Sequence, residues 1–349
     1  LSSSSAASDV YKRQDEKERK GGLRLDLESD AFKNAKSGFP AIVKGDPDES
    51  EIIARIFLSD DDDEHMPPLD SGKSITLEQK EILKKWIEQG AEYQGHWAFI
   101  NPQRSPVPKV VGVEHPIDGF IQKRLSEEGM QMQALADKET LLRRVSLDLT
   151  GLPPTLSEVD DFLADTSEDA YEKVLDRLLG SQHYGERMAI EWLDLARYAD
   201  SNGFQSDGSR DMWLWRDWLI NAFNRNLPFD QFTIEQLAGD MLPNPSQDQV
   251  VATGFNRNHR LNGEGGRIVD EWFVETVIDR VETTGTTWLA LTMTCARCHD
   301  HKYDPISQKE FFEFFAYFNS NDESGVLAPN GKNGFNTPPF IKVSNDEQK

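Results

Sequence analysis

The chain has 349 residues, of which 61 are acidic and 38 are basic, so its formal net charge at pH 7 is −23. A charge of this sign repels a phosphate backbone and argues against a nucleic-acid partner. The chain contains two cysteines, which excludes a disulfide-stapled scaffold. No apolar run approaches the roughly 18–20 residues of a transmembrane helix, and the length predicts more than one domain.

The first 95 residues divide into a leader and a small helical unit. Residues 1–14 (LSSSSAASDVYKRQ) lack apolar periodicity, and we interpret them as a disordered or artefactual leader. Within residues 15–95, the segment SEIIARIFL (50–58) has the spacing of an amphipathic helix. Thr76 and Gln79 have the capping-box pattern and predict the start of a second helix. The apolar residues predicted to share one face of that helix are Leu77, Ile82, Leu83, Trp86 and Ile87.

A proline-rich linker separates this unit from a larger helical region. Residues 96–116 hold four prolines and show no helical period. Successive amphipathic segments fill residues 117–325, without strand alternation of useful length. Residues 326–349 are rich in glycine, asparagine and proline and predict a linker to a further domain. The expected fold is therefore mainly α, with a small helical unit followed by a larger all-helical domain.

The segment TCARCHDHKYDP, residues 294–305, carries the strongest chemical signal in the sequence. Cys295, Cys298 and His299 form a C-x-x-C-H motif, the signature of covalent c-type haem attachment. Two thiols three residues apart on a helical turn can each form a thioether with a haem vinyl group. The following histidine then serves as the proximal iron ligand. Chance placement of two cysteines and a histidine produces this spacing on the order of once in 10,000.

Two other interpretations of the motif are open. Cys295, Cys298, His299 and His301 are suitable zinc ligands, and they predict a zinc-clamped structural or interaction domain, although their close spacing makes a cramped tetrahedron. The other interpretation is a redox-active dithiol, which lacks the βαβ context of thioredoxin-like proteins.

The sequence does not determine the sixth ligand of a haem iron. Histidine or methionine is the usual donor opposite a proximal histidine, and a five-coordinate iron is the other option. His301 is too close to His299 along the chain to reach the far face of the same iron. We select His259 as the candidate distal ligand; the other donors considered are His183, Met188, Met212 and Met241.

A second polar region offers a different class of function. Asp194 and Asp200 lie in a stretch rich in tryptophan and arginine, and Glu264 lies in a polar loop. Polar and aromatic residues together line carbohydrate grooves, and paired carboxylates serve acid–base chemistry at glycosidic bonds. These three acids within about 5–10 Å of one another would indicate a polysaccharide- or oligosaccharide-active enzyme with a haem redox centre. The alternative is that arginine–aspartate pairs lock the helices together; on the long helix, Glu275 and Asp279 predict such a salt-bridged face.

Several longer segments resemble the planctomycete-type cytochrome c protein family. They include HYGERMAIEWLDLARYADSNGF, WRDWLINAFNRNLPFDQFTIEQLAGD, GFNRNHRLNGEGG and the stretch from Asp279 to Asn319 with its CARCHDHKYDP. The N-terminal segments DEKERKGGLRLD, GDPDESEIIARI, MPP and LEQKEILKKWIEQGAE resemble the small cytochrome c domain of that family. The likeness covers most of residues 15–320. It implies a haem c protein in electron transfer with a redox partner protein, and we expect an exported, periplasmic or envelope-associated protein in a catabolic system.

The sequence departs from the family pattern at its N-terminal end. The family places a first C-x-x-C-H just upstream of the DEKERKGGLRLD-like stretch, whereas residues 5–14 contain no cysteine. The resemblance makes Met66 the distal ligand of that first haem. One covalent haem is therefore expected in this chain and a second in the full-length protein, and residues 15–95 are interpreted as a truncated cytochrome c-like domain. We expect a fragment that lacks both ends of the parent protein, including its secretion signal.

Overall fold

The computed structural model describes much of the chain between residues 25 and 343. The described residues are 25, 28–35, 37–68, 71–94, 97–110, 112–113, 115–204, 207–263, 266–323 and 338–343. Over these ranges the chain is mainly helical, and its β-pairing is limited to isolated bridges. This confirms the predicted fold class. The predicted leader (1–14), Glu264 and most of the predicted C-terminal linker lie outside the described residues.

The chain divides into two compact units, Leu1–Arg104 and Ser105–Lys349. The division falls inside the proline-rich stretch 96–116, where residues 101–110 form no regular secondary structure. The finer domain limits proposed from the sequence stay predictions.

Within the described residues, the α-helices of the first unit surround a small aliphatic core. Helix α1 spans Glu28–Ala31, α2 spans Glu51–Ile56 and α3 spans Leu77–Glu88. Thr76 and Gln79 form the predicted capping box at the start of α3. The buried core residues are Ala31, Ile42, Ile52, Ile53, Ile56, Ile87 and Ala91.

Only part of the predicted apolar face of α3 is buried. Leu83 and Trp86 pack on the core beside Ile87, whereas Leu77 is 68% exposed and Ile82 is 60% exposed. At 100° per residue, Leu83, Trp86 and Ile87 fall on one stripe, and Leu77 and Ile82 point about 100° or more away from Leu83. The prediction of a single five-residue face was therefore wrong for these two positions.

The second unit is a longer succession of helices. Their bounds are α4 Pro116–Glu127, α5 Lys138–Thr150, α6 Leu156–Ala164, α7 Ala170–Leu179, α8 Gln182–Leu195, α9 Trp213–Asn224, α10 Phe229–Ala238, α11 Gln247–Ala252, α12 Val269–Leu289 and α13 Gln308–Phe318. The sequence pattern did not predict α9, which is apolar on most sides, or the six-residue α11. Helix α8 ends at Leu195, and Arg197, two residues further on, adopts a left-handed backbone with φ of 59°.

An aromatic core holds α8, α9 and α10 together. Trp215, Trp218, Phe232 and Phe255 are buried in it, and the Trp192 and Trp288 ring centroids lie 4.8 Å apart on its side. Helices α8 and α9 approach closely at Gly185, where a Cβ atom would lie 2.4 Å from the carbonyl oxygen of Ile220. No helix in the described ranges is both long and apolar enough to cross a bilayer.

A separate core lies between α12 and α13. Its buried residues are Val277, Ile278, Val281, Met293, Ala296, Ile306, Phe311 and Phe318. Ala296 lies between the two cysteines, and Met293 lies two residues before Cys295. This core therefore positions the C-x-x-C-H motif.

Candidate functional site

The C-x-x-C-H motif lies on one helical turn at the protein surface. Thr294–Arg297 form a 3-10 helix, and the N–H groups of Cys298 and His299 donate to the carbonyl oxygen of Cys295 at 3.3 and 3.4 Å. Ala296 is completely buried, whereas both cysteines are exposed, unpaired thiols. Residues three apart on a helical turn share a side, so burial of Ala296 directs the two thiols outward.

Contacts with α12 and α13 fix this turn. The Sδ atom of Met293 packs closely against Gly285 of α12, 2.6 Å from the position that a Cβ atom there would take. Arg297 forms a salt bridge of 2.5 Å with Glu275 of α12. Gln308, the first residue of α13, donates from its side chain to the Arg297 carbonyl at 3.1 Å and from its backbone to Asp300 at 2.7 Å.

His299 has the environment of a metal-binding imidazole. Its Nδ1 atom lies 2.7 Å from the carbonyl oxygen of Asp300, an acceptor that assigns the proton to Nδ1 and the lone pair to Nε2. Metal-ligating histidines are held in this way by a backbone carbonyl or carboxylate on the other ring nitrogen. Two exposed thiols and an oriented imidazole on one turn fit the covalent attachment and proximal ligation of a c-type haem.

The four groups of the zinc hypothesis do not converge. No set of three or more histidine, cysteine, aspartate or glutamate side chains in the described ranges, which include all four, is arranged to hold a metal ion. His301 belongs instead to the following turn. Its Nδ1 atom accepts a hydrogen bond from the backbone N–H of Asp304 at 2.9 Å, and its backbone N–H donates to the carbonyl oxygen of Ile306 at 2.8 Å.

Glu282, a titratable residue beside the motif, was not among the residues predicted from the sequence. Glu282 on α12 is half-buried, and its burial raises the pKa of the carboxyl group, opposed in part by a hydrogen bond with Thr294. Asp279 and Glu275 on the same helix raise this pKa as well, and Arg297 lowers it. The seven-residue spacing of Glu275 and Glu282 was the available signal, since it places both acids on one side of the helix.

His259 is committed to a buried ion-pair cluster. It is 1% exposed; its Nδ1 atom lies 3.0 Å from the Arg260 carbonyl oxygen, and its Nε2 atom lies 2.8 Å from Oε1 of Glu323. Burial lowers the pKa of the imidazolium, and the hydrogen bond to Glu323 opposes this effect. With both ring nitrogens in contact with oxygen atoms, His259 is not arranged as a haem ligand, and we do not carry that hypothesis forward.

Glu323 is the acidic centre of this cluster. Its carboxylate pairs with Arg280, which is 3% exposed, and with Arg257 at 2.7 Å. Although burial opposes ionisation, the hydrogen bond from His259 and the positive charges of Arg280 and Arg257 lower the pKa of Glu323 to about 2. The cluster connects the C-terminal end of the described helical region to α12 and to the loop that carries His259.

The convergence of the three carboxylates of the carbohydrate-enzyme hypothesis stays a prediction. Asp194 and Asp200 are both exposed, and Glu264 lies outside the described residues. Asp200 accepts a hydrogen bond of 2.5 Å from the Tyr198 hydroxyl. The nearby arginine, Arg197, lies just beyond the end of α8 and pairs with Asp279 of α12.

Met66 lies in the first unit, partly buried against the aliphatic core. Its backbone N–H donates to the carbonyl oxygen of Arg55 at 3.2 Å. The preceding residue, His65, is 8% exposed, and its Nδ1 atom lies 3.1 Å from the Pro67 carbonyl oxygen. The assignment of Met66 as a distal haem ligand stays a prediction.

The helical fold and the C-x-x-C-H turn define a c-type cytochrome-like protein. Comparison with protein families specifies it further: residues 116–323, more than half of the chain, match the PSCyt2 family, described as protein of unknown function (DUF1549). Residues 13–70 match the family described as Planctomycete cytochrome C (PSCyt1). The chain therefore belongs to the planctomycete-type cytochrome c family. No curated protein and no solved structure matches it.

Proposed function

We propose that this chain is an electron-transfer protein with one covalent haem c in its second unit. Cys295 and Cys298 would hold the porphyrin, and His299 would be the proximal iron ligand. The observation that supports this assignment is the outward projection of both thiols from a turn whose intervening alanine is buried. A bound haem iron alternates between its ferric and ferrous states and so carries one electron.

The exposed position of the motif suits exchange of electrons with another protein. The thiols and His299 lie at the surface, so a group attached there has an edge accessible to a partner. The net charge of −23 favours a partner with a basic docking surface, because complementary charges accelerate encounter. The rate of electron transfer to such a partner should therefore fall as ionic strength rises.

We further propose that the protein is exported and works in the periplasm or cell envelope, in a catabolic redox step. Its family membership supports this proposal, because c-type haem is attached outside the cytoplasm. The zinc-clamped domain remains the second candidate in chemical terms, since two thiols and two imidazoles occur within seven residues, but the separate engagement of His301 favours haem.

The deciding experiment is covalent haem attachment. The full chain, with an export signal, is expressed in a host competent for cytochrome c maturation and examined on a denaturing gel stained for haem peroxidase activity. Haem should remain on the wild-type band, and the pyridine haemochrome spectrum should give one haem per chain. The Cys295→Ala/Cys298→Ala double variant should give a colourless band.

A matched control separates ligation from folding. His301→Ala alters a histidine of the next turn and should keep the haem and its visible spectrum, whereas His299→Ala should retain the thioethers but change the visible spectrum, because the proximal ligand is lost. A colourless wild-type band would disprove haem attachment in this unit. Stoichiometric zinc in that same sample would support the metal-clamped domain instead.

A further inference from the structure

The backbone that follows the C-x-x-C-H motif folds back onto the start of α13. The backbone N–H of His301 donates to the carbonyl oxygen of Ile306 at 2.8 Å and closes the loop between them. The closed loop places Asp300 beside Gln308, the first residue of α13. Helix α13 is itself anchored, since Phe311 is completely buried in the core that it shares with the motif turn. The motif and α13 therefore meet at a fixed point.

The carboxylate of Asp300 caps α13. The backbone N–H of Gln308 is one of the first N–H groups of the helix, which have no partner within it, and it donates to Oδ1 of Asp300 at 2.7 Å. The Ser307 hydroxyl accepts from the N–H of Glu310 at 3.1 Å, so the two caps satisfy different donors. The helix dipole also favours a carboxylate at this end. Asp300 is thus held in place, although it lies at the surface.

Gln308 contacts the motif on its other side as well. Its side-chain amide donates to the carbonyl oxygen of Arg297 at 3.1 Å. Arg297 and Asp300 flank Cys298 and His299 along the chain. One residue of α13 therefore holds the backbone at both ends of the segment that carries the second thiol and the imidazole.

The backbone carbonyl of Asp300 orients the imidazole of His299. The Nδ1 atom of His299 lies 2.7 Å from this carbonyl oxygen, which can only accept a hydrogen bond, so Nδ1 carries the proton. Because the Asp300 carboxylate is bonded to α13, the direction of the Asp300 carbonyl is fixed too. A fixed acceptor on one ring nitrogen sets the tautomer and orientation of a metal-ligating imidazole and strengthens the other nitrogen as a donor.

We propose that Asp300 and Gln308 are positioning residues that hold the His299 imidazole in the tautomer and orientation needed to ligate iron. This inference rests on the proposed haem function. The carboxylate of Asp300 fixes its own carbonyl through α13, and the amide of Gln308 fixes the backbone before Cys298. The start of α13 thereby controls the proximal ligand without touching the iron.

Nitrogen-15 NMR of the full chain without haem tests the positioning directly. The histidines are labelled, spectra are recorded in alkaline buffer, and the His299 signals are assigned by their absence in His299→Gln. We expect the Nδ1–H tautomer to predominate in the wild type. Its ratio to the Nε2–H tautomer should fall about fivefold in Asp300→Ala, because the acceptor is no longer held. Asp300→Asn keeps an oxygen acceptor for Gln308 and should restore most of the ratio. An equal ratio in wild type and Asp300→Ala overturns the proposal.

The reduction potential of the haem-loaded chain gives a second measurement. It should be more positive in Asp300→Ala than in Asp300→Asn, because both variants lose the same charge and only the alanine releases the imidazole. Equal potentials in these two variants contradict the proposal. Glu313→Gln is the control, since it removes an exposed α13 charge that pairs with Lys309 and should leave the tautomer ratio unchanged.

A second variant keeps the test decisive if Asp300→Ala does not fold in a circular dichroism melt. Gln308→Ala loses only the contact with the Arg297 carbonyl and should lower the tautomer ratio about twofold. An unchanged ratio in this variant then overturns the proposal. Absence of haem on the wild-type chain would refute the ligation itself. An unchanged ratio in a chain that does bind haem refutes only the role of Asp300 and Gln308.

Discussion

The two units differ in which residues of the types used by c-type haem sites they contain. The first unit has Met66, a side chain of the type that ligates haem iron, packed against its core, but it has no cysteine. The second unit has two outward thiols and an oriented histidine, while its buried histidine, His259, is engaged by Glu323. The units also differ in cohesion: the second has several cores and a buried ion-pair network, and the first has one small aliphatic core. The C-x-x-C-H motif and the larger number of buried cores among the described residues thus occur together in the second unit.

The largest effect is expected from introducing a C-x-x-C-H motif into the first unit. The triple variant Tyr11→Cys/Gln14→Cys/Asp15→His creates C-x-x-C-H just upstream of EKERKGGLRLD. Haem content should rise from one to two per chain by pyridine haemochrome assay, since the first unit then has the thiols it lacks. A content of one in the triple variant would show that the first unit is not a haem domain. Adding Met66→Leu should keep two haems but lower the reduction potential of the new one.

Breaking the ion-pair network should affect the second unit strongly. Glu323→Gln removes the negative charge that pairs with Arg280 and Arg257, and the free energy of unfolding should fall by about 3 kcal/mol. Urea unfolding followed by tryptophan fluorescence measures the loss. The matched control is Glu186→Gln, which removes an exposed pair with His183 and should cost less than about 1 kcal/mol. Equal losses in the two variants would contradict a special role for Glu323.

The pKa of Glu323 also predicts how the free energy of unfolding of the second unit depends on pH. The pKa of Glu323 in the folded state is about 2, below that of an unfolded glutamate, so its contribution is complete above about pH 4.5. The contribution is lost progressively as the pH falls toward 2. The free energy of unfolding of the second unit should therefore decline over this window, and less steeply in Glu323→Gln. Parallel pH profiles for the two proteins would count against this linkage.

Hydrogen exchange should separate the units without any substitution. We expect the first unit to be loosely packed, because the haem that its resemblance to a cytochrome c domain implies would fill the centre of its core. Amides of α3 should exchange at least about tenfold faster than those of α12 under native conditions. Strong protection across residues 76–90, equal to that of α12, would contradict the prediction.

The smallest expected effect comes from removing one capping box in each unit. Thr76→Ala and Ser307→Ala each remove a capping box, at the start of α3 and of α13, and each should cost about 1 kcal/mol locally. In a marginal unit such a loss unfolds much of the population, whereas a well-packed unit tolerates it. Circular dichroism at 25 °C should therefore show a larger loss of helix in Thr76→Ala. A larger loss in Ser307→Ala would reverse the ranking of the two units.

Local chemistry accounts for what the sequence predicts well. Capping boxes such as Thr76–Gln79, most helix bounds and the C-x-x-C-H motif depend on residues within a few positions of one another. The cluster of His259, Arg280 and Glu323 joins residues 21 and 43 positions apart, and no periodicity indicates such a pairing. For the same reason the sequence suggested His259 as a ligand, since a histidine is visible in a sequence and its tertiary partner is not.

The burial of Ala296 between two exposed thiols has a consequence for the order of events in biogenesis. A maturation enzyme needs access to both sulfur atoms and to the imidazole, and all three lie at the surface while the turn beneath them is anchored in a core. We therefore expect the second unit to be loaded without first being unfolded. For this unit, cofactor insertion would be a late step, added to a finished scaffold.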